Sequence, residues 1–165
     1  MNNREIENIA SKVLAESSLD RLPIDPVTLA NKHGIKINNA IFSEENLSGL
    51  IAKRGETVTI LINQKDSPAR KRFTIAHELG HHFLHLSEDG EFVDSILDLY
   101  RTIEVSETHY LKEVEANMFA AALLMPKDLV KEEFLRSSGD VSYLTKRFNV
   151  SETALMFRLK KLRLL

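Results

Sequence analysis

Cysteine is absent from this 165-residue chain, which excludes a disulfide scaffold, a Cys-based zinc finger, an iron–sulfur cluster and a catalytic thiol. Any metal must then be held by histidine and carboxylate side chains. An excess of charge of either sign is also missing: 22 Lys and Arg stand against 24 Asp and Glu, a net −2. The chain as a whole is therefore no polycationic binder of nucleic acid or of an anionic membrane, although such an average can conceal a local patch. No stretch is long and apolar enough to span a bilayer, and the first residues are polar where a secretory signal would be apolar. These absences lead to the expectation of a cytoplasmic protein that does not engage membranes. Repeats and low-complexity tracts are missing too. With 43% hydrophobic residues, a chain of this length is expected to fold around its own core as one domain, with room for a small appendage.

What is present reads as a mostly helical α+β chain. Ile6, Ile9, Ala10, Val13 and Leu14 recur at helical spacing over residues 4–17. Asp25-Pro26 supplies an N-cap and a first-turn proline for a short second helix that Gly34 can close. Between residues 35 and 64 the texture turns β-prone, with segments at Ile35 and Ile37, at 49–52 and at 58–62, and a hairpin turn at Arg54-Gly55. A small antiparallel sheet of about three strands is expected. Ser67-Pro68 starts a helix over about 67–86. Gly80 lies inside it, and because an interior glycine costs about 0.5–1 kcal/mol relative to alanine, it points to close approach of another backbone. Residues 88–106 show only weak periodicity. A helix over about 107–124 follows, Met125-Pro126 ends it and begins another to about 137, and Gly139-Asp140 precedes two short final helices.

Four of the six histidines fall between positions 77 and 85. His77-Glu78-Leu79-Gly80-His81 is an HExxH motif on the helix already placed by Pro68 and by its apolar spacing. Residues four apart lie one turn apart on one face, so His77 and His81 can reach one metal ion, while Glu78, about 100° around the helix, reaches its bound water. By chance such a pattern arises in on the order of one chain of this length in fifty to two hundred. The helical setting, the apolar flanks Phe73, Ile75, Ala76, Phe83 and Leu84, and acidic residues on a later helix separate this one from coincidence. Hydrolytic zinc sites normally add a third protein ligand. Glu113 and Glu115 are the best placed, but they sit about 200° apart on a helix and the apolar periodicity does not choose between them. His85 is a rival at about 80° from His77. Together with His82 it reads better as a packing or outer residue.

Residues 72–81 (RFTIAHELGH) and 113–126 (EVEANMFAAALLMP) resemble, in sequence and order, the ImmA/IrrE family of metallo-endopeptidases, with weaker similarity from about Leu22 to the C-terminus. The resemblance implies a zincin-like metalloprotease core and intracellular cleavage of helix-turn-helix repressors, which relieves repression of mobile-element or stress-response genes. By motif it makes His77 and His81 the metal ligands, Glu78 the catalytic base, and Glu115, which opens the Glu-Ala-Asn block, the third ligand. Zinc suits that donor set, and manganese is compatible with it. His109 and Tyr110 are candidates for stabilising the oxyanion. Asn117 reads as a group that orients its neighbours.

The neutral average conceals one asymmetry. Residues 141–165 hold Lys146, Arg147, Arg158, Lys160, Lys161 and Arg163 against the single acid Glu152, a local +5 that leaves −7 elsewhere. Leu144, Phe148, Val150, Ala154, Leu155, Leu159 and Leu162 space out two helices around a turn at 148–150, with Ser151 capping the second. The pair resembles a helix-turn-helix. Two segments are therefore expected: a metallopeptidase domain over 1–137 and a basic subdomain over 138–165. A solvated basic face is favoured over direct reading of DNA, since there is one copy and no evident dimer seam. The leading expectation is an endopeptidase acting on a repressor. The competing ones are a non-proteolytic regulatory module of the anti-repressor or antitoxin kind, docking repressor or DNA, and a small-peptide hydrolase.

Overall fold

The computed structural model describes residues 1–44, 46–85 and 107–165. Among them are seven helices and three strands: α1 (Asn3–Glu16), α2 (Pro26–Lys32), β1 (Lys36–Ala40), β2 (Gly49–Arg54), β3 (Thr57–Asn63), α3 (Pro68–His85), α4 (Glu107–Leu124), α5 (Lys127–Arg136), α6 (Val141–Phe148) and α7 (Glu152–Lys161). The fold is α+β, as expected. The weakly periodic stretch 88–106 lies outside the described residues.

Local chemistry explains the helix starts. Asn2 Oδ1 accepts from the Glu5 amide at 3.0 Å while Glu5 Oε2 accepts from the Asn2 amide at 2.8 Å, a reciprocal cap on α1. Asp25 accepts from the amides of Val27 and Thr28 ahead of α2, with Pro26 in the first turn. Asp140 and Ser151 cap α6 and α7 in the same way. α1 then buries the stripe Ile6, Ala10, Val13 and Leu14, its side of a core shared with Ile60 of β3, Leu79 of α3 and Phe119 and Leu123 of α4.

The sheet differs from the all-antiparallel expectation. Its order is β1-β3-β2; β2 and β3 are antiparallel from Gly49↔Ile62 to Arg54↔Thr57, but β1 and β3 are parallel from Lys36↔Thr59 to Ala40↔Asn63. The cause is which hairpin strand takes the centre. β3 is the more apolar and buries Ile60 and Ile62, so it sits between the other two. The chain after β1 therefore crosses to the far edge before returning through the hairpin, and the turn itself falls at Gly55-Glu56.

Two glycines bring backbones together around α3. A Cβ on Gly80 would sit 3.0 Å from both the Cα and the carbonyl oxygen of Ala116, so the expected close approach is between α3 and α4. A Cβ on Gly49 would clash with Thr74 Cγ2 and lie 2.9 Å from the Leu61 carbonyl oxygen, so glycine there lets the start of β2 lie against the middle of α3.

A second cluster joins Met125 and Val130 to Leu144, Phe148, Leu155 and Leu159 of α6 and α7. Polar contacts fasten this tail to the rest. Arg158, only 3% exposed, donates from Nε to the Met125 carbonyl at 3.0 Å and forks onto both Glu7 oxygens of α1, with Nη2 at 3.0 Å from Oε2. Arg72 of α3 donates to the carbonyls of Phe148 and Asn149 at 3.4 and 3.3 Å, where α6 ends in a left-handed Asn149. Arg147 donates to buried Glu133 at 3.2 Å, which also accepts from Tyr143 at 2.7 Å and Arg136 at 3.1 Å. Arg147 and Arg158, two of the six cations in the basic tail, are thus committed to internal carboxylates.

Candidate metal centre

Helical spacing does for His77 and His81 what the motif requires. Their Nε2 atoms converge to 3.0 Å. Facing them from α4 is Glu113, with Oε2 at 3.2 Å from His77 Nε2 and Oε1 at 3.0 Å from His81 Nε2. One donor atom from each of the three lies within 4.8 Å of the others. A tetrahedral zinc ion with Zn–N and Zn–O bonds near 2.0–2.1 Å sets its ligand atoms about 3.3 Å apart, so the observed spacings suit one such ion.

The tautomers suit it as well. His77 Nδ1 lies 3.0 Å from Asn117 Oδ1, an acceptor, so Nδ1 carries a proton and, in the neutral ring, Nε2 presents its lone pair to the centre. Asn117 thus orients a neighbour, in keeping with its sequence reading. Burial lowers the pKa of His77, but the hydrogen bond to Glu113 and the charges of Glu78 and Glu113 carry the balance above the usual value. For His81 burial prevails and the pKa is lowered, which favours the neutral ring a metal needs. Burial works against ionisation of Glu113, yet its hydrogen bonds with His77 and His81 hold it well below the usual carboxylate range.

Glu78 is 3% exposed, inside the cleft between α3 and the start of β2. Burial pushes its carboxyl up to about 7, with Glu113 adding to the shift and His77 opposing it. A carboxyl that titrates near neutrality is suited to taking and returning a proton.

The structure groups Glu113, and not Glu115, with the histidine pair. Contact between Gly80 and Ala116 fixes the face that α4 turns to α3, and from Ala116 Glu113 lies about 60° to one side and Glu115 about 100° to the other. Glu115 instead approaches His85, Oε2 to Nε2 at 2.9 Å, and the Met1 amine. His85 Nδ1 in turn lies 3.1 Å from His81 Nδ1, so His85 backs His81 rather than joining the cluster of His77, His81 and Glu113. His82 packs edge-on against Phe83, with ring centroids 4.9 Å apart. Of the oxyanion candidates, His109 borders the centre at 3.7 Å from Glu113, whereas Tyr110 is 63% exposed.

Two histidines one turn apart on a helix with a carboxylate facing them are a donor set that metallopeptidases use, and the family that the chain matches is of that class. Residues 30–160 match the peptidase family described as the IrrE N-terminal-like domain, and the chain belongs to that family. It is 36% identical over 103 residues to the radiation response metalloprotease IrrE of Deinococcus deserti, covering 61% of this chain and 35% of that protein. To its counterpart in Deinococcus radiodurans it is 35% identical over 103 residues, covering 61% and 30%. The chain thus spans about a third of the length of these curated relatives. Among solved structures it resembles a Mycobacterium tuberculosis transcriptional regulator with a TM-score of 0.66 at 17% identity, covering 94% of this chain and 46% of that one. That likeness concerns the fold alone.

Proposed function

We propose that this protein is a metal-dependent endopeptidase whose metal is held by His77, His81 and Glu113, with Glu78 as the general base. The observation that carries this reading is the meeting of two Nε2 atoms and one carboxylate at 3.0–3.2 Å beside a buried carboxyl poised near neutrality. A divalent ion bound there, zinc or manganese, supplies polarisation of a peptide carbonyl and acidifies water. Glu78 takes a proton from the attacking water and returns it to the leaving amine. Asn117 fixes His77, and His85 fixes His81, so that both Nε2 atoms face inward. His109 is the nearer of the two oxyanion candidates.

The substrate we propose is a helix-turn-helix repressor in the cytoplasm, cut to relieve repression. This rests on the family resemblance of residues 72–81 and 113–126. The tail, residues 138–165, accompanies the catalytic body as a helix-turn-helix-like appendage; with Arg147 and Arg158 tied to Glu133 and Glu7, direct DNA contact is not favoured. The alternative is a regulatory module that docks repressor or DNA without cutting, for which the remaining cations Lys146, Lys160, Lys161 and Arg163 speak. Incubation of a candidate repressor with wild type and Glu78→Gln decides. Fragments from wild type alone support the peptidase; equal derepression by both proteins without fragments supports the module.

A further inference from the structure

A groove of about 870 Å³ runs along the seam between α3 and α4 and is bounded on its third side by α7. It begins where the candidate metal centre ends. Phe73 on its wall precedes His77 by one helical turn, their ring centroids 6.4 Å apart, and Asn117, also on the wall, holds His77 Nδ1. A polypeptide passing the metal centre therefore has a path into it.

The lining has two properties. It is largely apolar, with Met118, Ala121 and Leu124 of α4 facing Phe157 of α7, and Phe157 is 71% exposed. Its charged lining is of one sign: Arg70, Arg72, Arg158 and Lys161, without an Asp or Glu. Arg158 is paired with Glu7 and Arg70 lies 3.5 Å from Asp66. Arg72 donates to neutral carbonyls and feels Asp25 only at longer range, as Lys161 feels Glu7; neither is within ion-pair distance of a carboxylate among the described residues. An apolar trough whose charged lining is all cationic selects for apolar side chains accompanied by a carboxylate.

We infer that this groove docks the protein substrate itself. A segment beside the scissile bond inserts apolar side chains between α4 and Phe157 and sets an acidic side chain against Arg72 and Lys161. The inference rests on the peptidase reading above and adds a sequence preference to it. A second copy of the chain is a poorer occupant, since a twofold contact through this face would bring like charges together.

The test uses two ten-residue peptides of leucine and one tryptophan, one with glutamates and the other with lysines at the same places. The chain has no tryptophan, so the peptide's fluorescence reports binding without background. With the 165-residue Glu78→Gln protein, which cannot cut, the acidic peptide is expected to bind at least tenfold tighter than the basic one. Adding Phe157→Asp or Lys161→Glu should weaken it at least tenfold, with circular dichroism confirming that both variants fold. Equal binding of the two peptides, no binding of the acidic one up to millimolar concentration, or indifference to both substitutions would overturn the groove. So would a wild-type dimer that Phe157→Asp dissociates. The two readings fail separately: peptide binding with these dependences but no cleavage of any candidate repressor counts against the peptidase, whereas repressor cleavage with an unchanged KM in Phe157→Asp counts against the groove alone.

Discussion

Glu115 and His85 face each other at 2.9 Å, Oε2 to Nε2, one layer behind the histidines that face the candidate metal position. The contact dictates a chain of proton positions. A carboxylate only accepts, so His85 carries its proton on Nε2 and leaves Nδ1 to accept from His81 Nδ1 at 3.1 Å. In the neutral ring that leaves the lone pair of His81 on Nε2, available to a metal ion, whereas a second proton on Nε2 makes it the donor to Glu113. Partners of this kind alter metal affinity by about 10–100-fold. His85→Ala is therefore expected to weaken zinc binding by about that factor in competition with a chromogenic chelator, and Glu115→Gln by less. Glu113→Gln should weaken it far more. If Glu115→Gln proved the more damaging of the two glutamate changes, Glu115 would be the direct ligand that the motif comparison suggested.

Gly80→Ala should destabilise the protein even though alanine is the better helix former. The helix gains about 1 kcal/mol in propensity, but the new Cβ would stand 3.0 Å from backbone atoms of Ala116, which can give way only by moving α4. Overpacking of this kind costs about 1–3 kcal/mol. Because the obstacle is backbone rather than a flexible side chain, the upper part of that range applies, and a net loss of about 1–2 kcal/mol in urea unfolding is expected, together with weaker metal binding as Glu113 shifts away from the histidines. A neutral or stabilising Gly80→Ala would mean that the helices are not held at this contact.

The features legible in the sequence are the local ones. Asp25-Pro26, Pro68 and Ser151 mark helix starts through groups only a few residues away, and the His77/His81 spacing needs no more than one helical turn. What could not be read depends on contacts between distant segments. The parallel pairing of β1 with β3 depends on which hairpin strand lies centrally. Glu113 and Glu115 are equivalent until the orientation of α4 is known; Gly80 was the sequence signal that a backbone packs there, but not that the partner is Ala116. In the tail, counting charges treats Arg158 like Lys160. Only the fold shows that its guanidinium is buried against Glu7, 151 positions away.

Arg158→Ala should consequently behave as a core substitution, although arginine in a basic tail ordinarily suggests a surface. It would remove both bonds to Glu7 and the one to the Met125 carbonyl, leaving Glu7 to the longer-range attraction of Lys161. Removing one member of a buried pair costs about 3–5 kcal/mol. Glu7 is partly exposed, with 16% of its side chain accessible, so the lower end is expected. Lys160→Ala on the same helix should change stability by less than about 0.5 kcal/mol. Similar losses for the two variants in thermal melts would remove Arg158 from its proposed role in joining α7 to α1.

Glu78 makes the stability of the metal-free protein depend on pH, with a sign opposite to the usual carboxylate. Burial raises its folded-state pKa to about 7 from an ordinary value of 4.5, so the protonated form is the one the fold favours. The stability attached to that form is complete below about pH 4.5 and is lost as pH rises towards and through 7, because the folded state must then either keep a proton or bury a charge. Glu78→Gln keeps a neutral side chain of the same shape. With the other carboxylates common to both proteins, the two should unfold at similar denaturant concentrations near pH 4.5. By pH 8 the glutamine variant should be the more stable by up to about 3 kcal/mol, the free energy separating a carboxyl that titrates at about 7 from one at 4.5. Chelator-treated protein followed by circular dichroism in urea from pH 4.5 to 8 measures the difference directly. A gap that stays constant across this range would show that Glu78 does not titrate there, and the carboxyl would lose its claim to be poised for proton transfer at neutral pH.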